Sequence, residues 1–546
     1  MSGTSPRPDA DELGLPPVEV PLTRRDRRRR FLRSKKAIVI YVTIAAVIAA
    51  GVVVPIAAAP PPPKPRPAPC HGGLVAVRDT TTPENGSSSA ASMDCVGLTD
   101  GSQVLDPRLA GIERLILREN DRVQATGKRW VAIAYLAPIT QGQVSVLTWE
   151  GVYEELEGAY IAQWEANHSP TNGDDPLVKL DLVNEGPDQG HWQLAVRQIL
   201  AAAGDARQVV AVAGLGGSVQ ETRQAAQLMS DRHLAMFGAT ITADDLNGAS
   251  FASLVRVAPT NTDEVKAALA FLPQLPSRVA TALLVADTNG KDDYTRTWAA
   301  QVQRLFPGPG RHFIGQPETF NRALSAEGDR LVQISQIICQ RRPGVVFFAG
   351  RSKDLELFVG ALGAKCAAPV TVISGDSDLI DESTSGKDSY QDYKRALGPG
   401  DVSLYSTALA HPSEWSDCGG PVPQSERPAA LAFTRFASNY ATQLAPALKL
   451  PFDDGSAMLA HDAITTAVAT IRLPVNQSNG SGQHPYPYQE VTQNLSGLHV
   501  QPVAGVSGMI TISNYGHSSG DPVAKPLAIV QHQANGAVTC KHLEIP

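Results

Sequence analysis

From Trp130 onward, short runs of consecutive apolar residues alternate with stretches whose apolar positions recur every three or four residues. The first kind fits strands buried on both faces, the second amphipathic helices. WVAIAYLAP (130–138) reads as the first strand, and residues 151–166 carry Val152, Leu156, Tyr160 and Trp164 on one helix face. Strand LVKLDLVNEG, helix HWQLAVRQILAAA, strand QVVAVAGLG, helix SVQETRQAAQLMS and strand HLAMFGA follow. After Thr260 the rhythm restarts with helix TDEVKAALAFL, strand VATALLVAD, helix DYTRTWAAQVQRLF and strand RHFIGQ. Helix GDRLVQISQIICQ, strand GVVFFAG, helix DLELFVGALG and strand PVTVISGD come next. Residues 400–546 add strand DVSLYSTA, helices at 426–444 and 456–472, and the strand-like pieces MITIS, LAIVQH and AVTCKHL. Such alternation predicts an α/β fold of two doubly wound parallel-sheet lobes, with the chain crossing between them at hinges. Ligands bind beyond the carboxyl ends of such strands, so a cleft between the lobes is the expected site.

The N-terminal pattern is different. Residues 37–59 (AIVIYVTIAAVIAAGVVVPIAAA) hold no charge. As a helix rising ~1.5 Å per residue they span a ~30 Å hydrocarbon core. RRDRRRRFLRSKK lies just before them, which predicts a cytoplasmic N-terminus and an extracytoplasmic body. A cleaved signal peptide competes, but Pro60 would follow the cut and the run exceeds a signal h-region. Residues 60–69 (PPPPKPRPAP) read as an extended polyproline stalk, followed by the Ser-rich 84–92.

The expected divisions are therefore a basic disordered cytoplasmic tail (1–36), a transmembrane anchor (37–59), and a Pro-rich stalk with flexible linker (60–92). A membrane-proximal cap with one helix (93–128) follows. Lobe 1 spans 129–256, completed by about 377–500, and lobe 2 spans 257–376, completed by about 501–546.

Of the 546 residues 43% are hydrophobic, enough for two large cores and too many for a disordered chain. The formal charge is −7, but residues 1–36 hold ten Lys/Arg against five Asp/Glu, a net of +5 that leaves −12 on the rest. An acidic body excludes bulk nucleic-acid binding. The six cysteines, Cys70, Cys95, Cys339, Cys366, Cys418 and Cys540, all follow the anchor. An even count in an oxidising compartment favours three disulfides, although many connectivities are open. The favoured pair is Cys339–Cys366, each a few residues before a strand start. Proximity suggests Cys70–Cys95 and leaves Cys418–Cys540. No His/Cys spacing suggests a metal, and nothing calls for a cofactor.

The body resembles the type I periplasmic binding proteins of the leucine/isoleucine/valine-binding family over roughly residues 130–546. VAIAYLAPITQ resembles the family's first strand and loop. VVAVAGLGGSVQETRQAAQLM and HLAMFGATITADDL resemble its next ligand loops. FASLVRVAPTNTDEVKAALAFL resembles the crossover into lobe two. VATALLVADTNGKDDYTRTWAAQVQRLF, GVVFFAGRSKDLELFVGAL and VTVISGDSDL resemble the units after it. DDGSAMLAHDAITTAVATI and GVSGMITISNYG resemble the late helix and terminal hairpin. The resemblance implies that loop hydroxyls and backbone N–H groups catch an α-carboxylate, here at Gly217 and Ser218 and at Gly238, Ala239 and Thr240. Ser218 alternatively caps helix 219–231. Tyr294 matches the aromatic over the ligand, and Asp376 the acid that meets the α-ammonium. Arg351 stands where the family has a second aromatic, a departure that suits an anionic or more polar ligand.

Three rivals are weighed. Gly214-Leu215-Gly216-Gly217 opens a helix like a dinucleotide loop, but the fingerprint's last glycine is Val219. Gly375-Asp376-Ser377-Asp378 resembles the block of SGNH hydrolases but follows a late strand, and the neighbours His461 and Asp462 are expected to point apart on their helix. A ligand sensor acting through a partner membrane protein is the closest alternative. The expectation is a membrane-tethered, non-enzymatic solute-binding protein that passes a small amino-acid-like ligand to an ABC-type permease.

Overall fold

The computed structural model describes residues 70–78 and 93–546, apart from 143–144, 170–172, 174, 325–326, 377–379, 381–385, 417, 419–420, 445–454 and 474–486. The basic tail, the apolar segment 37–59 and the stalk 60–69 lie outside the described residues. Among those described, no helix is long and apolar enough to cross a membrane.

Two strands come first among the described residues, where a linker and a cap were expected. β1 (Val75–Arg78) and β2 (Met93–Thr99) pair antiparallel, and helix α1 (Ala110–Ala125) follows. Next come β3 (Trp130–Ala137), α2 (Trp149–His168), β4 (Leu177–Asn184), α3 (Trp192–Ala202), β5 (Val209–Gly214), α4 (Gln220–Ser230), β6 (Ala235–Gly238) and β7 (Leu254–Arg256). They form one sheet in the order β1-β2-β4-β3-β5-β6-β7. β4, β3, β5, β6 and β7 run parallel, and β2 lies antiparallel against β4. Val131 through Ala137 are all buried, because helices cover both faces, and so the strand is apolar throughout instead of alternating. Segment 93–128 is not a separate cap but part of this lobe. Asn120 of α1 donates to Leu180 O of β4 (2.8 Å) and accepts from Leu180 N (2.9 Å).

The second sheet is fed by α5 (Asn261–Phe271), β8 (Thr281–Asp287), α6 (Asp293–Leu305), β9 (His312–Phe313), β10 (Glu318–Phe320) and α7 (Glu327–Arg341). β11 (Val345–Ala349), α8 (Ser352–Lys365), β12 (Val370–Ser374), α9 (Lys387–Ala396) and β13 (Val402–Ala408) continue it. The chain then returns to the first lobe with α10 (Arg427–Gln443), α11 (Ser456–Arg472), α12 (Tyr488–Asn494) and the hairpin β14 (Val503–Gly505) and β15 (Gly508–Ile510). It crosses once more for β16 (Leu527–His532) and β17 (Val538–Glu544). The sheet order is β10-β8-β11-β12-β13-β16-β17, with β16 and β17 antiparallel and β9 beside β8. Two expected boundaries are thereby corrected. β13, allotted to the first lobe, pairs parallel with β12 from Val370↔Val402 onward. Residues 503–510, allotted to the second, pack on α10 and α11. Which sheet a strand joins is decided by distant partners that an apolar run does not encode.

α11 lies along α2, and at Gly158 the helices touch so closely that a Cβ would run into the Ala457 carbonyl. This contact buries α2 on more than the one face its spacing indicated. All three expected disulfides are present: Cys70–Cys95, Cys339–Cys366 and Cys418–Cys540. Cys339 and Cys366 sit at the ends of α7 and α8, just ahead of the paired strands β11 and β12, as their spacing suggested.

Three crossovers join the lobes, and charges buried without solvent hold them. Arg256, fully buried at the end of the first lobe's sheet, donates from Nε to Asp521 Oδ1 (2.9 Å) and from Nη1 to Ala243 O (2.7 Å). Asp462 of α11 accepts from the N–H groups of Val506 (2.6 Å) and Ser507 (3.0 Å) and from the Ser507 hydroxyl, with Lys525 Nζ 3.6 Å away. His461 does not point away from its neighbour: Nδ1 lies 3.4 Å from Asp462 Oδ1 and Nε2 3.1 Å from Glu165 Oε2. Yet Ser507 bonds the acid and not the imidazole, so the three do not form a nucleophile relay.

Burial opposes a charge on His461, but its two carboxylate partners outweigh burial and raise it to about 9. Glu185, fully buried, is pushed up to about 8 by burial. Both groups hold a proton in the folded state that the unfolded chain has released. Their contribution is complete below the unfolded values and disappears as pH climbs through the folded ones. The urea midpoint is therefore expected to fall between about pH 7 and 9, and His461→Gln to flatten the fall. A midpoint that holds or rises over that range would contradict this.

Candidate ligand cleft

The loops after β5 and β8, one from each lobe, meet in the gap between the sheets. Val219 and Asp292 form an antiparallel bridge, and Gln220 N–H donates to Lys291 O (2.9 Å). The N–H groups of Asp293 and Tyr294 both donate to Ser218 O, at 3.0 and 3.1 Å. Outside this seam Arg223 and Asp245 of the first lobe alternate with Asp293 and Arg296 of the second. Arg223 lies 2.7 Å from Asp245 and 3.0 Å from Asp293, and Arg296 lies 2.9 and 2.6 Å from the same two acids. These pairs are partly exposed, so each contributes little alone, but together they fix how the lobes face each other.

The residues singled out from sequence gather at this seam, mostly on its inner side. Gly217 N–H donates to Gln189 Oε1 (3.3 Å), and a Cβ there would press on Val146. Ser218 does not cap α4, whose N-cap is Val219; its Oγ accepts from Thr242 N (2.9 Å) and Ala243 N (3.2 Å). Gly238 ends β6, and Ala239 is fully buried with its N–H on Gly214 O (3.0 Å). Thr240 donates to Glu155 Oε1 (3.1 Å), whose other oxygen takes the Tyr135 hydroxyl (3.0 Å). Tyr294 is fully buried in the first turn of α6, under the Arg351 guanidinium at 4.4 Å.

Arg351 begins α8 and forms a two-pronged pair with Asp292, from Nε and Nη2 at 2.8 Å each. Burial works against both charges, but the pairing outweighs it: Asp292 is held below the usual carboxylate range and Arg351 is kept protonated. Asp376 N–H donates to Glu264 Oε2 (2.9 Å), which also takes the Thr407 hydroxyl (2.7 Å). Burial raises both carboxyls, the Asp376 charge raises Glu264 further, and Arg351 works against the rise at Asp376. Gly375 makes this arrangement possible, since a Cβ there would collide with the Tyr294 hydroxyl and the Trp298 indole.

The open space lies beside the seam. A cleft of about 500 Å³ is lined from the first lobe by Ser145, Val146, residues 187–191, Val219 and Glu221, and from the second by Asn289, Lys291, Asp292 and Arg322. Asp188 and Gln189 both take left-handed backbone angles (φ 53° and 58°), strained for residues with a Cβ. Hydrogen bonds hold them so: Ser145 Oγ donates to Asp188 Oδ1 (2.9 Å), and Gln189 Nε2 donates to Thr222 Oγ1 (2.9 Å). The first lobe supplies the acids Asp188 and Glu221, and the second the bases Lys291 and Arg322 together with Asp292, whose carboxylate is engaged by Arg351. Among the sequence candidates Arg351 lines an adjoining cavity, and the others lie under the seam. Lys291 and Arg322 were not singled out, although both follow the carboxyl ends of strands β8 and β10, the position where a parallel sheet binds ligands. Among the described residues no cluster of His, Cys, Asp and Glu could hold a metal ion.

No family model and no curated protein matches the chain. Its fold does match solved structures. A leucine binding protein from Thermotoga maritima is 17% identical, with a TM-score of 0.52, over 76% of this chain and 99% of that one. An ABC transporter substrate-binding protein from Desulfitobacterium hafniense in complex with Leu is 16% identical at TM-score 0.51, over 76% and 100%. A substrate binding protein of an ABC transporter from Aeropyrum pernix is 12% identical at TM-score 0.54, over 77% and 97%. At these identities the likeness fixes the fold, a two-lobed α/β architecture like theirs.

Proposed function

We propose that this chain, with the fold of the type I periplasmic binding proteins, is a membrane-tethered extracytoplasmic solute-binding protein. It captures a small amino-acid-like or related polar molecule by lobe closure and delivers it to an ABC-type permease, without covalent chemistry. The observation that carries this reading is the cleft itself, with the acids Asp188 and Glu221 on the wall from one lobe and the bases Lys291 and Arg322 on the wall from the other, where the one acid, Asp292, is already paired with Arg351. A zwitterion placed there draws the walls together, and Lys291 Nζ, 3.6 Å from Glu221, shows how near opposite charges stand across the gap. The leucine complex of the Desulfitobacterium protein supports the ligand class. The apolar run 37–59 with its basic flank supports the tether, and three disulfides support an oxidising compartment.

The test is a thermal-shift screen of the protein against amino acids, small peptides, amides and sugars, followed by solution scattering with any hit. A cleft binder at a hundredfold excess over Kd gains about 2.7 kcal/mol of stability. A hit is expected to raise the melting temperature and compact the particle. A panel that leaves both unchanged would overturn the reading, and tight binding without uptake would move it to a sensor.

A further inference from the structure

A second cavity, about 260 Å³, adjoins the main cleft and shares Ser145, Val146 and Arg322 with it. Its charged lining is one-sided: Arg108 from the first lobe and Arg322, Arg351 and Lys353 from the second, against the single carboxylate Glu150. Arg322 and Arg351 are more than nine-tenths buried. We infer that the ligand of this clamp carries an anionic group, a carboxylate or a phosphate, which sits between Arg108, Arg322, Arg351 and Lys353. The inference rests on the solute-binding reading and names the class of solute.

The acids that pair with these cations, Asp106, Asp292 and Asp354, hold them in place and do not themselves line this cavity. Arg351 spends Nε and Nη2 on Asp292, and a guanidinium has five N–H donors in a fixed fork. Arg322 forms ion pairs with Asp292 (3.6 Å) and Asp354 (3.7 Å). Asp354 is not among the residues that line the cavity, and burial pushes it up to about 7, so it is partly neutral at physiological pH. Arg108 is steadied by Asp106 (2.6 Å) and lies 4.9 Å over the Trp149 ring, which orients it without enclosing it. The opening turns of α2 and α8 also line the cavity, at Trp149 and Ser352, and helix N-termini add partial positive charge. An anion reaching this space from the main cleft passes Arg322, which borders both.

The experiment titrates the full chain calorimetrically with matched pairs: L-glutamate against L-glutamine, and O-phospho-L-serine against L-serine, with inorganic phosphate alone as a fifth probe. At least one anionic member is expected to bind about tenfold or more tighter than its neutral partner, a difference of about 1.4 kcal/mol. The better of glutamate and phosphoserine tells carboxylate from phosphate. Lys353→Gln and Arg108→Gln, both on partly exposed side chains, are expected to erase most of that preference, and Lys353→Arg to keep it. Neutral members that bind as well as the anionic ones would overturn the inference and leave the clamp standing. An unchanged preference in both glutamine variants would also overturn it. If none of these probes binds and the wider screen is empty too, both readings fall together.

Discussion

Replacing Arg256 with alanine is expected to destabilise the folded protein by about 3–5 kcal/mol, the cost of breaking a buried charge pair from one side. Arg256 has no exposed surface. Its Nε and Nη2 meet Asp521 Oδ1 at 2.9 and 2.8 Å, its Nη1 meets Ala243 O at 2.7 Å, and its own N–H donates to Gly520 O at 3.0 Å. The side chain therefore ties the first crossover to the third. Alanine would strand the Asp521 carboxylate, which among the described residues keeps the bond from Asn247 Nδ2 at 3.3 Å. It would also leave a void the size of a guanidinium and its stem. Lysine carries the charge but not the fork that serves a carboxylate and a carbonyl together, so Arg256→Lys is expected to recover only part of the loss. Urea denaturation reads both variants, and a loss below about 1 kcal/mol for alanine would mean that the pair does not organise the crossovers.

Asp462→Ala is expected to cost a similar amount, about 3–5 kcal/mol, for a different set of reasons. Asp462 is fully buried, and its two oxygens take two backbone N–H groups and a hydroxyl from Val506 and Ser507. Without it those donors face no acceptor, and Lys525, itself nearly solvent-free, loses its nearest carboxylate. Burial already lowers Lys525, and without Asp462 its proton is held less firmly still. The cost of the alanine change should also shrink on acidification. Burial opposes the Asp462 charge, yet His461 and Lys525 outweigh it and hold the carboxyl below its ordinary value. Its contribution is therefore present above the unfolded pKa and disappears as pH falls through the folded one. A wild-type and an alanine variant with equal urea midpoints at pH 7 would refute this account. If they differ at pH 7 but converge near pH 3, it is supported.

How much of this was legible follows from which residues make local and which make distant contacts. β3, β5, β8 and β11 were plain because helices cover both faces and their interiors are runs of apolar residues. α10 was legible because Phe433, Phe436, Tyr440 and Leu444 recur at helical spacing; the last three are buried and Phe433 partly so. β2 was not, because MDCVGLT mixes an acid and a glycine into a strand that lies between β1 and β4. The seam residues Ser218, Tyr294 and Asp376 were found through the loops that hold them. The Ser218 hydroxyl and the N–H groups of Tyr294 and Asp376, however, bond to partners dozens of residues away, which no local pattern displays. Asp188 and Gln189 carry no sequence mark at all, since it is the fold around them that imposes their backbone angles.

The second sheet is stitched from two stretches separated by well over a hundred residues, with β16 docking antiparallel on β13. During synthesis β13 therefore leaves the ribosome long before its neighbour exists. For that interval a strand whose residues Leu404 through Ala408 are all buried in the finished protein stands as an open sheet edge. Such an edge invites pairing with other chains. A nascent chain stalled between residues 410 and 526 would be the form most in need of a chaperone.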